Sequence, residues 1–254
     1  MKKISVLLAF LAMTFAGWAF ANSAVVTSTT GVAQVQVGTA AARALRVGDE
    51  IQQGATVSTG ANSSLVLKFD DGQVAALTSN SRMAITAYQY NAQSGAGNVL
   101  LSLIDGGMRA ITGLIGKRNP ERVAYRAATA TIGIRGTDVT IATSKGDVTV
   151  TVTEGVITFT FAGKTIVIPA GQGVNARKDG NFQTGAAAQI FQQLPPELAT
   201  DVNGLAGLQA AIERAAAGTP RSGGEDGGRG NQGQNQQGPN QPPGGGGGGS
   251  ASQR

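Results

Sequence analysis

Between about Ala24 and Phe182 apolar and polar residues alternate along the chain. Val148, Val150 and Val152 stand against Thr149, Thr151 and Thr153. Ile157, Phe159 and Phe161 stand against Thr158 and Thr160, and Leu65 and Leu67 against Val66 and Lys68. Successive side chains of a strand point to opposite faces, so the pattern predicts strands with one buried and one wet face. Gly146, Gly155, Gly163, Gly171 and Gly180 recur every eight or nine residues, each beside a turn-type neighbour. Short strands at even spacing suggest a sandwich, barrel or solenoid. No helical stretch separates them, which argues against an α/β fold. The expected fold is all-β, a solenoid-like or two-sheet arrangement of short strands over residues 22–182.

After that the spacing becomes helical. Ile190, Leu194 and Leu198 are followed by Leu205, Leu208 and Ile212, which predicts short helices over residues 183–218 whose apolar stripe packs on the β domain. Pro195 and Pro196 suit a break and a first helical turn, Asp201 or Asn203 a cap, and Gly218 a stop. Residues 219–254 hold no aliphatic side chain larger than alanine and no aromatic ring. Such a Gly/Gln/Asn/Pro-rich segment cannot bury enough apolar surface to fold, so a disordered tail is expected.

At the front, Lys2 and Lys3 precede an apolar run from Ile4 to Ala16, and Ala19, Phe20 and Ala21 form a small-x-small site. This has the form of a secretory signal peptide over residues 1–21, which places the protein in the periplasm or outside the cell. No later apolar stretch approaches the roughly 20 residues that a membrane-spanning helix needs, so no transmembrane segment is expected after signal cleavage.

Composition narrows the chemistry. The chain of 254 residues has no cysteine and no histidine. Disulfides, thiolate chemistry, Cys- or His-ligated metals and His-dependent triads are therefore excluded. Removing Lys2 and Lys3 leaves 18 of the 20 basic residues against 15 acidic ones, a net charge of +3, and Trp18 leaves with them. So mild a charge, with so few aromatics, does not describe a nucleic-acid surface. No cofactor, no metal and no catalytic residue is called for, and the chain does not read as an enzyme.

Three segments hold candidate sites. In "IRGTDV", Arg135 offers an anion clamp and Asp138 a carboxylate, but Gly136 interrupts an alternating run, which marks a bulge or bend. Thr137 and Asp138 can bond local backbone there and Arg135 can pair with a carboxylate, so the four residues read as a structural corner. Asp70 and Asp71 before Gly72 lack the spaced acidic residues of a calcium loop and read as a hairpin turn. The densest basic patch is Lys117, Arg118, Arg122 and Arg126, in one loop-like stretch that suits contact with an acidic partner or anionic envelope polymer.

Ordered motifs then carry a resemblance. "GVAQVQV" at residues 31–37, "LRVGDEIQQGATVSTGANSSLVLKFDDGQVAALTSNSRMAI" at 45–85, "LLSLIDGGMRAIT" at 100–112, "ATATIGIRGTDVTIA" at 128–142, "VTEGVITF" at 152–159 and "IPAGQGV" at 168–174 resemble the FecR domain family of bacterial envelope proteins. The resemblance covers about residues 30–180. In the namesake branch the domain lies in the periplasm on a membrane-crossing protein that relays a signal from an outer-membrane transporter to a sigma factor. This chain lacks the cytoplasmic anti-sigma region and the internal membrane helix of that plan. The resemblance therefore implies an exported, non-catalytic module that binds an envelope protein or a cell-surface polymer. The alternative is a structural or matrix-associated secreted protein that acts through its tail.

Overall fold

The computed structural model describes residues 22–194, 199 and 208–218. The expected signal peptide, the tail, the two prolines and the proposed caps at Asp201 and Asn203 lie outside them.

Alternation becomes strands throughout: β1 (Asn22–Thr30), β2 (Ala33–Val37), β3 (Arg43–Ala44), β4 (Glu50–Gln52), β5 (Ala55–Thr59), β6 (Ser64–Phe69), β7 (Val74–Leu77), β8 (Arg82–Tyr90), β9 (Gly97–Ile111), β10 (Val123–Ala127), β11 (Ala130–Ser144), β12 (Asp147–Phe161), β13 (Lys164–Pro169), β14 (Gln172–Ala176) and β15 (Phe182–Ala186). Helices are short: α1 (Leu114–Arg118), α2 (Ala187–Gln192) and α3 (Gln209–Ala217), with a 3-10 turn at Pro120–Arg122. The fold is all-β with a few short helices, as the alternation predicts.

All fifteen strands join one hydrogen-bonded sheet. Its pairing is antiparallel except between β9 and β10. Three long strands change partners halfway. The first half of β9 lies between β8 and β10, and its second half between β7 and β11. β11 pairs with β10 before its midpoint and with β9 after it. β12 pairs with β14 through its first half and with β13 through its second. The sheet is therefore bent into two layers. The first runs β3-β2-β5-β8-β9-β10-β11-β12-β13, and the second runs β4-β1-β6-β7-β9-β11-β12-β14-β15.

Each crossing strand turns at a glycine in the left-handed region: Gly106 (φ +86°), Gly136 (φ +59°) and Gly155 (φ +78°). Residues with a Cβ avoid this region, and a glycine there lets a strand bend sharply without leaving the ladder. The β11–β12 register shifts between Arg135 and Asp138, at that corner. A Cβ on Gly155 would lie 2.8 Å from the carbonyl oxygen of Arg135 and closer still to that of Gly136, so two glycines pack backbone on backbone.

The inner faces of both layers form one core. Phe69 on β6 meets Tyr88 on β8 across the layers at 5.2 Å between ring centroids. Tyr125, Phe159, Leu67, Leu101 and Met83 are fully buried with them. Each such side chain contributes about 1.5–3 kcal/mol by leaving water.

A smaller cluster forms on the outer face of the second layer, where Val66, Val74, Ala76 and Ala142 meet Leu194, Ile212 and Ala215. The helical stripe packs on the β domain there, through α2 against β12 and β14 and α3 against β6 and β7. This corrects the wet face expected of β12. Thr149 and Thr151 are buried because α2 covers them, whereas Thr153, Thr158 and Thr160 remain exposed. Val66, set opposite the core residues Leu65 and Leu67, is likewise buried, in the cluster that α3 completes.

The corner geometry sets an order of sensitivity. Gly136→Ala meets no atom within 4 Å and bears only the left-handed backbone penalty, about 1–2 kcal/mol. Gly155→Ala adds overpacking to that penalty and should cost about 3 kcal/mol or more. Urea unfolding of the two variants should show the larger loss at Gly155.

Candidate functional site

The corner residues are held by partners distant in sequence. Thr137 is buried, and its N–H donates to Thr112 Oγ1 at 2.9 Å while that hydroxyl donates back to the Thr137 carbonyl at 2.9 Å. Asp138 does not bond local backbone. Its carboxylate accepts from Arg109 on β9, Nε to Oδ1 at 2.9 Å and Nη2 to Oδ2 at 2.6 Å. Nη1 of the same guanidinium donates to Gln209 Oε1, and Gln209 Nε2 donates to Glu213 Oε1 at 2.6 Å. The hydrogen bonds to Asp138 push the Arg109 pKa up against the opposing effect of burial. One bidentate pair thus fastens the corner to α3. Arg135 points to solvent and has no ion-pair partner among the described residues.

Asp71 plays a part that sequence reasoning missed. The β6–β7 connection is a tight turn closed by Gly72 N–H to the Phe69 carbonyl, with Gly72 at φ +82°. Within it Asp71 is only 1% exposed. Its carboxylate accepts from the Gln73 N–H at 3.1 Å, the Ile115 N–H at 3.3 Å and the Tyr88 hydroxyl at 3.3 Å. The Tyr88 hydroxyl in turn accepts the Asp71 N–H at 2.9 Å, and the Asp71 carbonyl accepts the Leu114 N–H at 2.8 Å. Tyr125 donates to Gln73 Oε1 at 3.1 Å, beside a Gln73 Nε2 with no partner among the described residues. This cluster ties the second layer, the first layer and the start of α1 together. Burial raises the Asp71 pKa against the lowering effect of its hydrogen bonds, and burial with the nearby Asp71 charge keeps both tyrosines protonated as donors. No substrate reaches a carboxylate so enclosed, and the role of Asp71 is to hold the fold.

The basic stretch is not a loop. Lys117 and Arg118 fall in α1, Arg122 in the 3-10 turn and Arg126 on β10, all exposed. They do not share one role. Arg118 Nη1 donates to the Ser94 carbonyl at 3.2 Å and so ties α1 to the β8–β9 loop, while Arg126 stands between Ser102 and Thr131 of the neighbouring strands. Beside the 3-10 turn, the outer face of the first layer carries an apolar trough of about 430 Å³ whose lining includes Pro120, Val123, Ala124, Ile134, Val156 and Val167. Val167 is 66% exposed, and Gly133 leaves the floor without a side chain.

Both buried groups make testable demands. Arg109→Met strands the Asp138 carboxylate and should cost about 2–3 kcal/mol in urea unfolding, together with loss of α3 docking. The native state keeps the Asp71 proton to higher pH than the unfolded chain does. Its stabilising effect is therefore complete below the ordinary carboxylate pKa and is lost as pH rises through the raised native value. Asp49 and Asp179, held low by backbone hydrogen bonds, act in the opposite sense and only at more acid pH. The urea midpoint should therefore fall as pH rises above the ordinary carboxylate range, and Asp71→Asn should flatten that slope.

Two crystal structures of a candidate anti-sigma factor from Parabacteroides distasonis ATCC 8503, at 1.65 and 2.50 Å resolution, are similar to the chain at 13% identity with a TM-score of 0.42. The similarity spans 52% of this chain and 59% of that one. No curated protein matches. The family model described as FecR protein matches residues 55–158, from the start of β5 into β12, and this segment contains β9, β11 and most of β12 with all three glycine corners. Over these residues the chain is similar to the FecR domain.

Proposed function

We propose that this is an exported, non-catalytic FecR-domain protein that binds an envelope protein or a cell-surface polymer in envelope sensing or assembly. The observation that carries the reading is the unequal cover of the two layers. The outer face of the second layer is occupied by α2 and α3, whereas that of the first is covered by neither and bears, among the described residues, the apolar trough whose charged lining is Glu121 and Arg135. Buried Asp71 and Asp138 are both engaged in holding elements together, so the polar chemistry of the interior serves structure. The export half of the proposal rests on the apolar run behind Lys2 and Lys3. No helix among the described residues is long and apolar enough to cross a membrane.

Crosslinking capture from an envelope fraction tests it, comparing the chain from Asn22 onward with the same chain ended after Gly218. The expected result is that both capture the same discrete envelope component. Capture that needs residues 219–254 would move the function to the tail, and capture by neither would remove the binding reading.

A further inference from the structure

β13 is the outermost strand of the first layer, and the direction of its backbone groups follows from the turn before it. Ala162 and Gly163, the two residues between β12 and β13, both stand in the left-handed region, at φ +48° and +75°. That is a two-residue hairpin of type I′, closed by a bonded pair of Phe161 with Lys164. Bonded and non-bonded pairs alternate from there. Ile166 and Ile168 therefore bond to β12, while Thr165, Val167 and Pro169 turn their backbone groups to the open side. Three observations agree with this alternation. Pro169, which has no N–H, falls at an outward position, and the next residue, Ala170, donates its N–H to the Gly155 carbonyl at 3.0 Å. The hydroxyls of Thr160 and Thr165, opposite each other in a non-bonded pair where side chains stand closest, are 2.9 Å apart.

The open side can accept a strand. The outward N–H and C=O groups of Thr165 and Val167 have no backbone partner among the described residues. Both side chains lie on the outer face, where Val167 is the most exposed large apolar side chain described. On the other face Ile166 is half-buried against the core. Lysine and proline are the usual guards of such an edge. Here Lys164 leans over the Phe182 ring of β15, its Nζ 6.0 Å from the centroid, and Pro169 ends the strand. Neither guards the middle.

We propose that two copies of this chain pair through β13, antiparallel about a two-fold axis at Ile166. In that register Thr165 meets the second copy's Val167 and Val167 meets its Thr165, so every outward N–H and C=O of these two residues is bonded. A shift of one residue sets outward groups against inward ones. A shift of two either sets Thr165 against Pro169, which leaves the Thr165 carbonyl without a donor, or sets Val167 against Gly163 in the turn. The strand is thus complementary to itself in one register. On the core side Ile166 meets its own copy in a non-bonded pair, apolar against apolar, and each covers the part of the other that the core leaves exposed. The two Lys164 side chains stand on opposite sides of the axis, so like charges do not meet. Two-fold symmetry uses up the edge in one pairing and does not propagate it.

Sedimentation of the chain from Asn22 onward, over a wide range of concentrations, tests the pairing. The native chain should pass from monomer to dimer as concentration rises. Val167→Pro removes an outward N–H and no bond to β12, so it should keep the native circular dichroism and weaken dimerisation by about tenfold or more. The chain has no cysteine, so single cysteines locate the axis. Ile166→Cys sets two sulfurs across a non-bonded pair with Cα atoms about 4.5 Å apart, within disulfide reach, and should give a covalent dimer on oxidation. Thr165→Cys faces the second copy's Val167 and should not. If Val167→Pro fails to fold, the two cysteine variants decide. The proposal is overturned if the native chain stays monomeric throughout, if folded Val167→Pro dimerises as the native chain does, or if Thr165→Cys crosslinks as readily as Ile166→Cys. Envelope capture is a separate readout, since a monomer can perform it as well as a dimer.

Discussion

Three glycines in left-handed conformation set the terms for everything else in this molecule. β9, β11 and β12 each serve both layers, and each can do so only because Gly106, Gly136 or Gly155 turns the strand where an L side chain would resist. The packing of Gly155 on the Gly136 carbonyl makes the bends depend on each other. The crossing strands carry hydrogen bonds from one layer to the other and so hold the two layers in a fixed relation. The chain has no cysteine, so no disulfide takes part.

Polar residues next to the bends then lock the surroundings. Asp138, two residues beyond Gly136, directs Arg109 toward α3, so the position of the helix over the second layer is linked to the corner. Asp71 does the same at the other end of the core, joining the β6–β7 turn to Tyr88 and to the start of α1. Both are carboxyl groups with little access to water, which is costly unless each is hydrogen-bonded, and both are. These locks also account for the unequal helical cover of the two outer faces among the described residues: the Asp138–Arg109 pair helps to hold α3 on the second layer, and Asp71 anchors α1.

Much of the fold was legible because period-two alternation follows directly from burial of one strand face. The all-β class, the hairpin at Gly72 and the helical stripe through Ile190 and Ile212 all come from that kind of local signal. What local signals missed is the second cover. Thr149 and Thr151 have the pattern of a wet face, and nothing near them in sequence announces that α2 will return to bury them. The basic stretch was misread for a related reason, since Gly116, Asn119 and Pro120 suggest a loop while the Asp71 carboxylate, far back in the chain, steadies the turn of helix there.

The FecR match also stops short of what the physics of the core requires. Residues 55–158 include β9, β11 and most of β12, yet β6 finds its outer neighbour in β1, and β12 needs β13 and β14 on its far side. Val26, Val35 and Ile51 before the matched segment, and Phe161, Ile168 and Val174 after it, belong to the same buried cluster as Leu67 and Ile141 within it. A segment cut to the match would leave that cluster open along both flanks and present unpaired strand edges to water. The cooperative unit is therefore wider than the recognisable one. The flanking strands complete a core common to both layers, and the helices add the cover that makes one outer face differ from the other.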